Sequence, residues 1–198
     1  MPAMTATPRM RRSELSVLMA LIAFMAVTRL NHFDALPDGS WAAFFIGGYA
    51  LRRFTAWAFP LLMLLAIAVD IWVISGQGIS FWQHYCVSIA YWMLIPAYFC
   101  LWAGGQWLAK QGGGKGTNHI IKGAISLLVS VALCQLISQG SFYWLSDSVA
   151  NKTFSGWLNN YSTWLWPYLQ TTAMYVAIAA IIAAAFSAIN QYTQTARV

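Results

Sequence analysis

The chain has 198 residues, of which 60% are hydrophobic and only 8% are charged. A soluble domain carries about 25% charged residues, so this composition excludes a soluble globular protein, and the high apolar content excludes a disordered one. The formal charge of +6 would suit a nucleic-acid-binding protein. No nucleic-acid partner is expected, because the basic residues lie in short clusters between apolar runs, as they do in membrane proteins.

Apolar runs along the chain predict six transmembrane helices in a single domain. A helix needs about 20 mostly apolar residues to cross a hydrocarbon core about 30 Å thick, and five runs meet this length. The sixth run, Trp41 to Leu51, crosses only if it begins near Asp38 and continues past Arg53. The fold class is therefore an all-α integral membrane protein in contact with the lipid bilayer. The predicted helices cover residues 14–32, 38–53, 54–75, 85–109, 119–140 and 161–190.

The distribution of basic residues decides whether the short second run crosses the membrane. If it does, most basic residues share one side, and Lys152 is alone on the other, with Arg29 at the outer end of the first helix. If it does not, many of them move outside, which the positive-inside rule disfavours. We therefore expect both termini to be cytoplasmic. The basic residues placed on that side are Arg9, Arg11, Arg12, Arg52, Arg53, Lys110, Lys115, Lys122 and Arg197.

Two connecting segments carry distinctive sequences. The segment QGGGKGT, residues 111–117, looks like a phosphate-binding loop, but that pattern requires Gly at position 109 and Ser or Thr at position 116. This chain has Ala109 and Gly116 there, so we expect a cytoplasmic linker and no ATPase activity. The outer connection, residues 141–160, is rich in aromatic residues, which a simple connector rarely needs.

Most unusual polar residues collect at the outer end of the predicted bundle. Asp70 lies one turn from the outer end of the third helix, and a carboxylate at the membrane centre costs about 2.5 to 3.5 kcal/mol. Arg29 lies at similar depth with the opposite charge. We therefore expect an Arg29–Asp70 ion pair, one member of which can also reach a polar ligand group. Asp38 and Ser40 suit the start of the second helix, where their oxygens can cap its first amides.

Cys86 is the candidate metal ligand at this end. It is expected at the N-terminus of the fourth helix, where the helix dipole favours a thiolate, and thiolates select soft transition metals. The alternative is a small packing residue, the usual role of a free cysteine and the one expected for Cys100 and Cys134. His32 is either an interfacial residue or a metal ligand. The aromatic residues Trp82, Tyr85 and Trp144 suit an interfacial belt; for Trp82 and Tyr85, which are close to Cys86 in the sequence, the alternative is the walls of a site for a broad macrocycle.

Short motifs in the first half of the chain resemble the BtuM family of bacterial cobalamin (vitamin B12) transporters, relatives of the S-components of energy-coupling-factor transporters. The resemblance covers residues 28–105 and is carried by the order and spacing of the motifs. These are Arg29-Leu30-Asn31-His32-Phe33, Pro37-Asp38-Gly39-Ser40, Phe44-Phe45, Gly47-Gly48, Leu51-Arg52, Tyr85-Cys86-Val87, Ala90-Tyr91, Leu94, Pro96-Ala97-Tyr98 and Leu101-Trp102.

The resemblance implies an S-component-like bundle in the bacterial inner membrane that captures cobalamin at its outer face. In this family a cysteine at the start of helix 4 ligates the cobalt, and the matching residue is Cys86. A strongly donating thiolate weakens the ligand on the opposite face of the corrin, so loss of a cyano group is a further expectation. Position alone adds six candidate binding residues: Tyr85, Arg29, His32, Asp70, Trp82 and Trp144.

An ATP-driven energising module is a further expected partner, although the first helix departs from the related pattern. Related S-components dock through small residues spaced four apart on helix 1, which lets helices approach closely. Ser16 and Ala20 fit that spacing, but Phe24 interrupts the row. Uptake through an unusual partner, or through none, is therefore the alternative.

Other functional classes predict different observations. A haem- or quinone-binding membrane redox subunit would use axial residues such as His32 and His84, but His32 ends the first predicted helix and His84 precedes the fourth, so they form no facing pair at bundle depth. An assembly subunit of a larger complex would tolerate mutation of the outer polar residues. A thiol oxidoreductase is disfavoured, because no second cysteine is placed to reach Cys86.

Overall fold

The computed structural model describes residues 10–30, 36–83, 87, 89–112 and 116–195. Within these ranges the chain is helical and contains no strand, which confirms the all-α fold. Three short 3-10 helices, Arg52–Phe54, Phe81–Gln83 and Ile89–Met93, accompany the α-helices. The α-helices are α1 (Arg12–Leu30), α2 (Ser40–Ala50), α3 (Thr55–Gly76), α4 (Leu94–Lys110), α5 (Thr117–Leu145) and α6 (Phe154–Thr195).

Four helical segments within the described residues are long and apolar enough to cross a membrane, whereas the sequence led us to expect six spans. They are Arg12–Leu30, Arg52–Gly76, Thr117–Leu145 and Phe154–Thr193. The remaining two α-helices are shorter, with 11 residues in α2 and 17 in α4. At about 1.5 Å per residue, α2 alone is about 16 Å long, roughly half of a hydrocarbon core.

The start of α4 differs from the sequence expectation, which placed it near residue 85. Val87 has no regular structure, and the α-helix begins only at Leu94, after the 3-10 helix. Pro96 favours this start, because a proline in a helix interior removes a hydrogen bond and clashes with the preceding turn, whereas the first turn tolerates it. Cys86 therefore precedes α4 by eight residues in the sequence, and the argument that the dipole of this helix favours its thiolate does not apply.

The connection between α5 and α6 is also shorter than the expected loop at 141–160. Helix α5 continues to Leu145, and α6 begins at Phe154. Thr153 caps α6, since its Oγ1 accepts a hydrogen bond from the Gly156 N–H at 3.1 Å, the pairing that stabilises helix starts. The aromatic residues assigned to a loop therefore lie mostly on the two helix ends.

The core forms around α2, most of whose side chains are buried. Glycines allow its backbone to lie against α4: a Cβ on Gly48 would overlap the Trp102 carbonyl, and one on Gly105 would overlap the Phe45 carbonyl. Small residues permit the same close approach between membrane helices. Phe44 and Trp102 are completely buried beside this contact.

Hydrogen bonds between the helices mark two chemically different ends of the bundle. At one end, here called the basic end, Arg52 donates a hydrogen bond to the Ala109 carbonyl at 2.7 Å. Basic residues of the described chain gather there: Arg11, Arg12, Arg52, Arg53, Lys110 and Lys122. The other end, here called the Arg29 end, holds Asp38, Asp70 and Asp147 together with Arg29 and Lys152.

Candidate functional site

Arg29 lies in the last turn of α1 and is 8% exposed. Its guanidinium binds Asp70 of α3 through two hydrogen bonds, Nε to Oδ1 at 2.7 Å and Nη2 to Oδ2 at 2.8 Å. This two-pronged geometry is the strong form of an arginine–carboxylate pair. The predicted ion pair is therefore present, and it joins α1 to α3 at this end of the bundle.

The same guanidinium also binds the start of α2. Arg29 Nη1 donates to Asp38 Oδ2 at 2.9 Å and to Ser40 Oγ at 3.0 Å. Asp38 Oδ1 accepts the Ser40 N–H at 2.9 Å, in line with the expected cap. The Ser40 hydroxyl does not cap the helix as expected; it donates to Asp38 Oδ1 at 2.6 Å instead.

Two tyrosines that the sequence did not single out also contact these groups. We call the set of Arg29, Asp38, Ser40, Asp70, Tyr91 and Tyr98 the Arg29 cluster. Tyr91, in the 3-10 helix before α4, donates its hydroxyl proton to Asp70 Oδ2 at 2.7 Å. The Tyr98 hydroxyl of α4 lies 3.5 Å from Arg29 Nη1. Residues from α1, α2, α3 and α4 therefore meet on one charged group, which fixes the relative positions of four helices.

The cavity beside this cluster is too small for a ligand. It has a volume of about 10 Å³ and is bordered by Arg29, Tyr91, Tyr98 and apolar side chains such as Met63. That is space for about one water molecule. In this structure the Arg29–Asp70 pair is therefore a closed structural element.

A larger groove lies at the same end of the bundle, between α5, α6 and the 3-10 helix that precedes α4. It has a volume of about 410 Å³ and is open to the outside, a size within the range of small-molecule sites. Trp144, one of the predicted binding residues, forms part of its wall. The lining residues are Met93, Leu136, Ile137, Gly140, Ser141, Trp144, Leu145 and Trp157.

The structure describes residues on either side of Cys86 but not Cys86 itself. His32, Tyr85 and Cys86, and also His84, lie outside the described residues. Before them in the chain, the Phe81 ring packs edge-on against Tyr91 with centroids 5.7 Å apart. After them, Val87 packs into the same small apolar cluster. Phe81 and Val87, which flank positions 84–86, therefore pack in the same cluster as Tyr91, whose hydroxyl binds Asp70.

The other predicted residues divide between surface and core. Trp82 is 70% exposed and contacts the Phe81 ring at this end, but it does not line the groove. Cys134 is completely buried, as expected of a packing residue, and Cys100 is partly buried. Within the described residues, no group of three His, Cys, Asp or Glu side chains could hold a metal ion.

No protein-family model matches the chain, and no curated protein sequence matches it.

Proposed function

We propose that this protein crosses a bacterial inner membrane six times, with the basic end in the cytoplasm. The concentration of Arg and Lys at one end of the bundle supports this orientation. In this proposal α2 crosses together with the residues that flank it, from Asp38 to the 3-10 helix Arg52–Phe54; Ser40 binds Arg29 at one end of this segment and Arg52 binds the Ala109 carbonyl at the other. For α4, the preceding 3-10 helix extends the helical segment to Ile89–Lys110.

The substrate we propose is cobalamin or a related corrinoid, captured at the Arg29 end and carried to the cytoplasm. The proposal is supported by three features at that end: an open groove with two tryptophans in its wall, the buried Arg29 cluster, and the packed residues Phe81 and Val87 on either side of positions 84–86. The identity of the ligand comes from the resemblance of short motifs to the BtuM family, above all Tyr85-Cys86-Val87. In this proposal the Arg29 cluster positions the site, and the groove receives an edge of the corrin.

Cys86 is the proposed axial ligand to the cobalt of the substrate. Its thiolate would donate an electron pair to Co(III) from one face of the corrin, which weakens the bond to a cyano group on the opposite face. The thiolate would displace the ligand that held its own axial position, either the base of the substrate or water. The cyano group would leave with the bonding pair as cyanide and take up a proton from water, and a water molecule would fill the vacated position, so the cobalt remains six-coordinate Co(III). Ligand exchange of this kind needs no external reductant.

Growth of a cobalamin-dependent bacterial strain without its own importer tests this proposal. We expect the wild-type gene and the Cys100→Ala variant to restore growth on limiting cobalamin, and Cys86→Ala to restore little or none. Equal rescue by Cys86→Ala would reject coordination by this residue and keep uptake. No rescue by the wild-type gene, in membranes that contain the protein, would reject uptake by this chain alone and would call for co-expression of an ATP-driven module.

The absorption spectrum of the purified protein separates this proposal from the alternative redox function. A bound corrinoid absorbs near the violet edge of the visible range with weaker bands in the green. A haem subunit would show an intense Soret band instead, and that result would reject the corrinoid assignment.

A further inference from the structure

The contact between α5 and α6 contains buried amide groups without hydrogen-bond partners. Gln135 and Gln139 lie one turn apart on α5, and Gln135 is only 1% exposed. Within the described part of the chain, Gln135 Nε2 and both amide atoms of Gln139 are buried and unpaired. Native proteins pair the large majority of their buried polar groups, so this exception calls for an explanation.

A third unpaired group faces them from α6. Trp157 Nε1 is buried and has no partner in the described structure. It packs on α5 next to Gln139 in the sequence, since a Cβ on Gly140 would lie 3.5 Å from it. Hydrogen bonds above and below mark this stretch as the helix contact: Tyr161 donates to the Ala132 carbonyl at 3.1 Å, and the Thr153 N–H donates to the Tyr143 hydroxyl at 3.1 Å. We call Gln135, Gln139 and Trp157 the amide seam.

The amide seam adjoins the open groove through Trp157. The ring of Trp157 forms part of the groove wall, while its N–H is turned into the protein. A change in the Trp157 side-chain rotamer would turn this N–H toward a molecule in the groove, and it would open the contact at Gly140, the residue next to Gln139. None of the described residues that line the groove is charged, which favours an uncharged ligand group.

We propose that the amide seam is a hydrogen-bonding subsite for a carboxamide group of the ligand in the groove, with Trp157 as the residue that moves to admit it. A carboxamide both donates and accepts, and so it complements the Gln139 amide and the Trp157 N–H. The inference rests on the proposed function, because the edge of a corrin carries carboxamide side chains. In the bound state, the edge of the corrin that carries these carboxamides would lie against α5 and α6.

Titration of the purified protein with hydroxocobalamin tests the subsite. We expect Gln139→Leu and Trp157→Phe each to raise the dissociation constant about threefold to tenfold, the effect of one lost hydrogen bond. The spectrum of the bound corrinoid should not change, because the ligands of cobalt are untouched. The matched controls are Gln170→Leu and Trp166→Phe, on exposed positions of α6, and they should leave the constant unchanged.

Thermal unfolding without ligand provides a second readout that a purely structural role would not give. Leucine at position 139 removes a buried amide that is unpaired, so we expect an unfolding midpoint equal to or above that of the wild type. A lower midpoint would show that the amide is paired within the protein, and it would overturn the inference whether or not a corrinoid binds. Unchanged affinity in both variants would overturn the subsite alone, whereas no binding by the wild type would overturn the proposed function and the subsite with it.

Discussion

The Arg29 cluster and the amide seam are two polar regions of one apolar bundle, and they differ in how completely their groups are paired. In the Arg29 cluster, Asp70 accepts hydrogen bonds from Arg29 and from Tyr91. In the amide seam, four buried nitrogen and oxygen atoms of the described chain have no partner. A satisfied polar network rigidifies a protein, and an unsatisfied one costs stability. The comparison assigns stability to the first region, and the second is the region that we propose for ligand binding.

Breaking the ion pair should have the largest effect on stability. Asp70→Ala leaves a buried guanidinium with one carboxylate fewer, and the loss of one partner of a buried pair costs about 3 to 5 kcal/mol. Chemical denaturation in detergent measures this loss. The matched control is Asp147→Ala, at an exposed carboxylate, with an expected change below about 0.5 kcal/mol. Equal effects of the two variants would show that the pair contributes nothing to the fold.

Separating α2 from α4 should have the next largest effect, because this contact holds Ser40 of α2 and Tyr98 of α4 beside the same nitrogen of Arg29. Gly48→Ala introduces a methyl group where the Trp102 backbone lies, and overpacking of this kind costs about 1 to 3 kcal/mol. Gly76→Ala is the control, since a Cβ there meets open space. If both variants unfold at the same denaturant concentration, the close contact described here is wrong.

Tyr91→Phe should weaken the Arg29 cluster by a smaller amount. The variant keeps the ring that packs on Phe81 and removes only the hydroxyl that donates to Asp70. A hydrogen bond to a charged group is worth about 1.5 to 3 kcal/mol, so we expect a loss in or below this range. Tyr192→Phe, at an exposed ring, should leave the free energy of unfolding unchanged. Equal free energies of unfolding for the two variants would show that the Tyr91 hydroxyl does not stabilise the Arg29 cluster.

The amide seam should respond in the opposite direction, with the smallest change of the series. Gln135→Leu replaces an amide whose nitrogen is buried and unpaired by an apolar group of similar size, so we expect stability to stay constant or rise by about 1 kcal/mol. The same denaturation series measures it. A loss comparable to that of Tyr91→Phe would abolish the distinction between the two regions.

Sequence reasoning located the Arg29–Asp70 pair because opposite charges are rare in an apolar chain and their depths coincided. It did not identify Tyr91 and Tyr98 as partners, since two tyrosines among so many aromatic residues carry no signal of their own. It also began the fourth helix too early. Hydropathy continues from Val87 to Met93 without a break, and only the proline at position 96 marks the later start of α4.

The ends of α5 and α6 show a different limit. Residues 141–160 mix aromatic and polar side chains, which in a membrane protein suits both an outer loop and the interfacial ends of two helices. The Thr153 cap was the available signal for the helix start. The unpaired glutamines had no signal at all, because whether an amide is satisfied depends on distant segments and not on the local sequence.

The visible spectrum of hydroxocobalamin bound to the purified protein tests the central claim most directly. We predict a shifted spectrum, characteristic of sulfur on cobalt, with the wild type and with Cys100→Ala, and the spectrum of free hydroxocobalamin after addition of Cys86→Ala. A shifted spectrum that persists in Cys86→Ala would contradict the account, as would a wild-type protein that leaves the spectrum of the corrinoid unchanged.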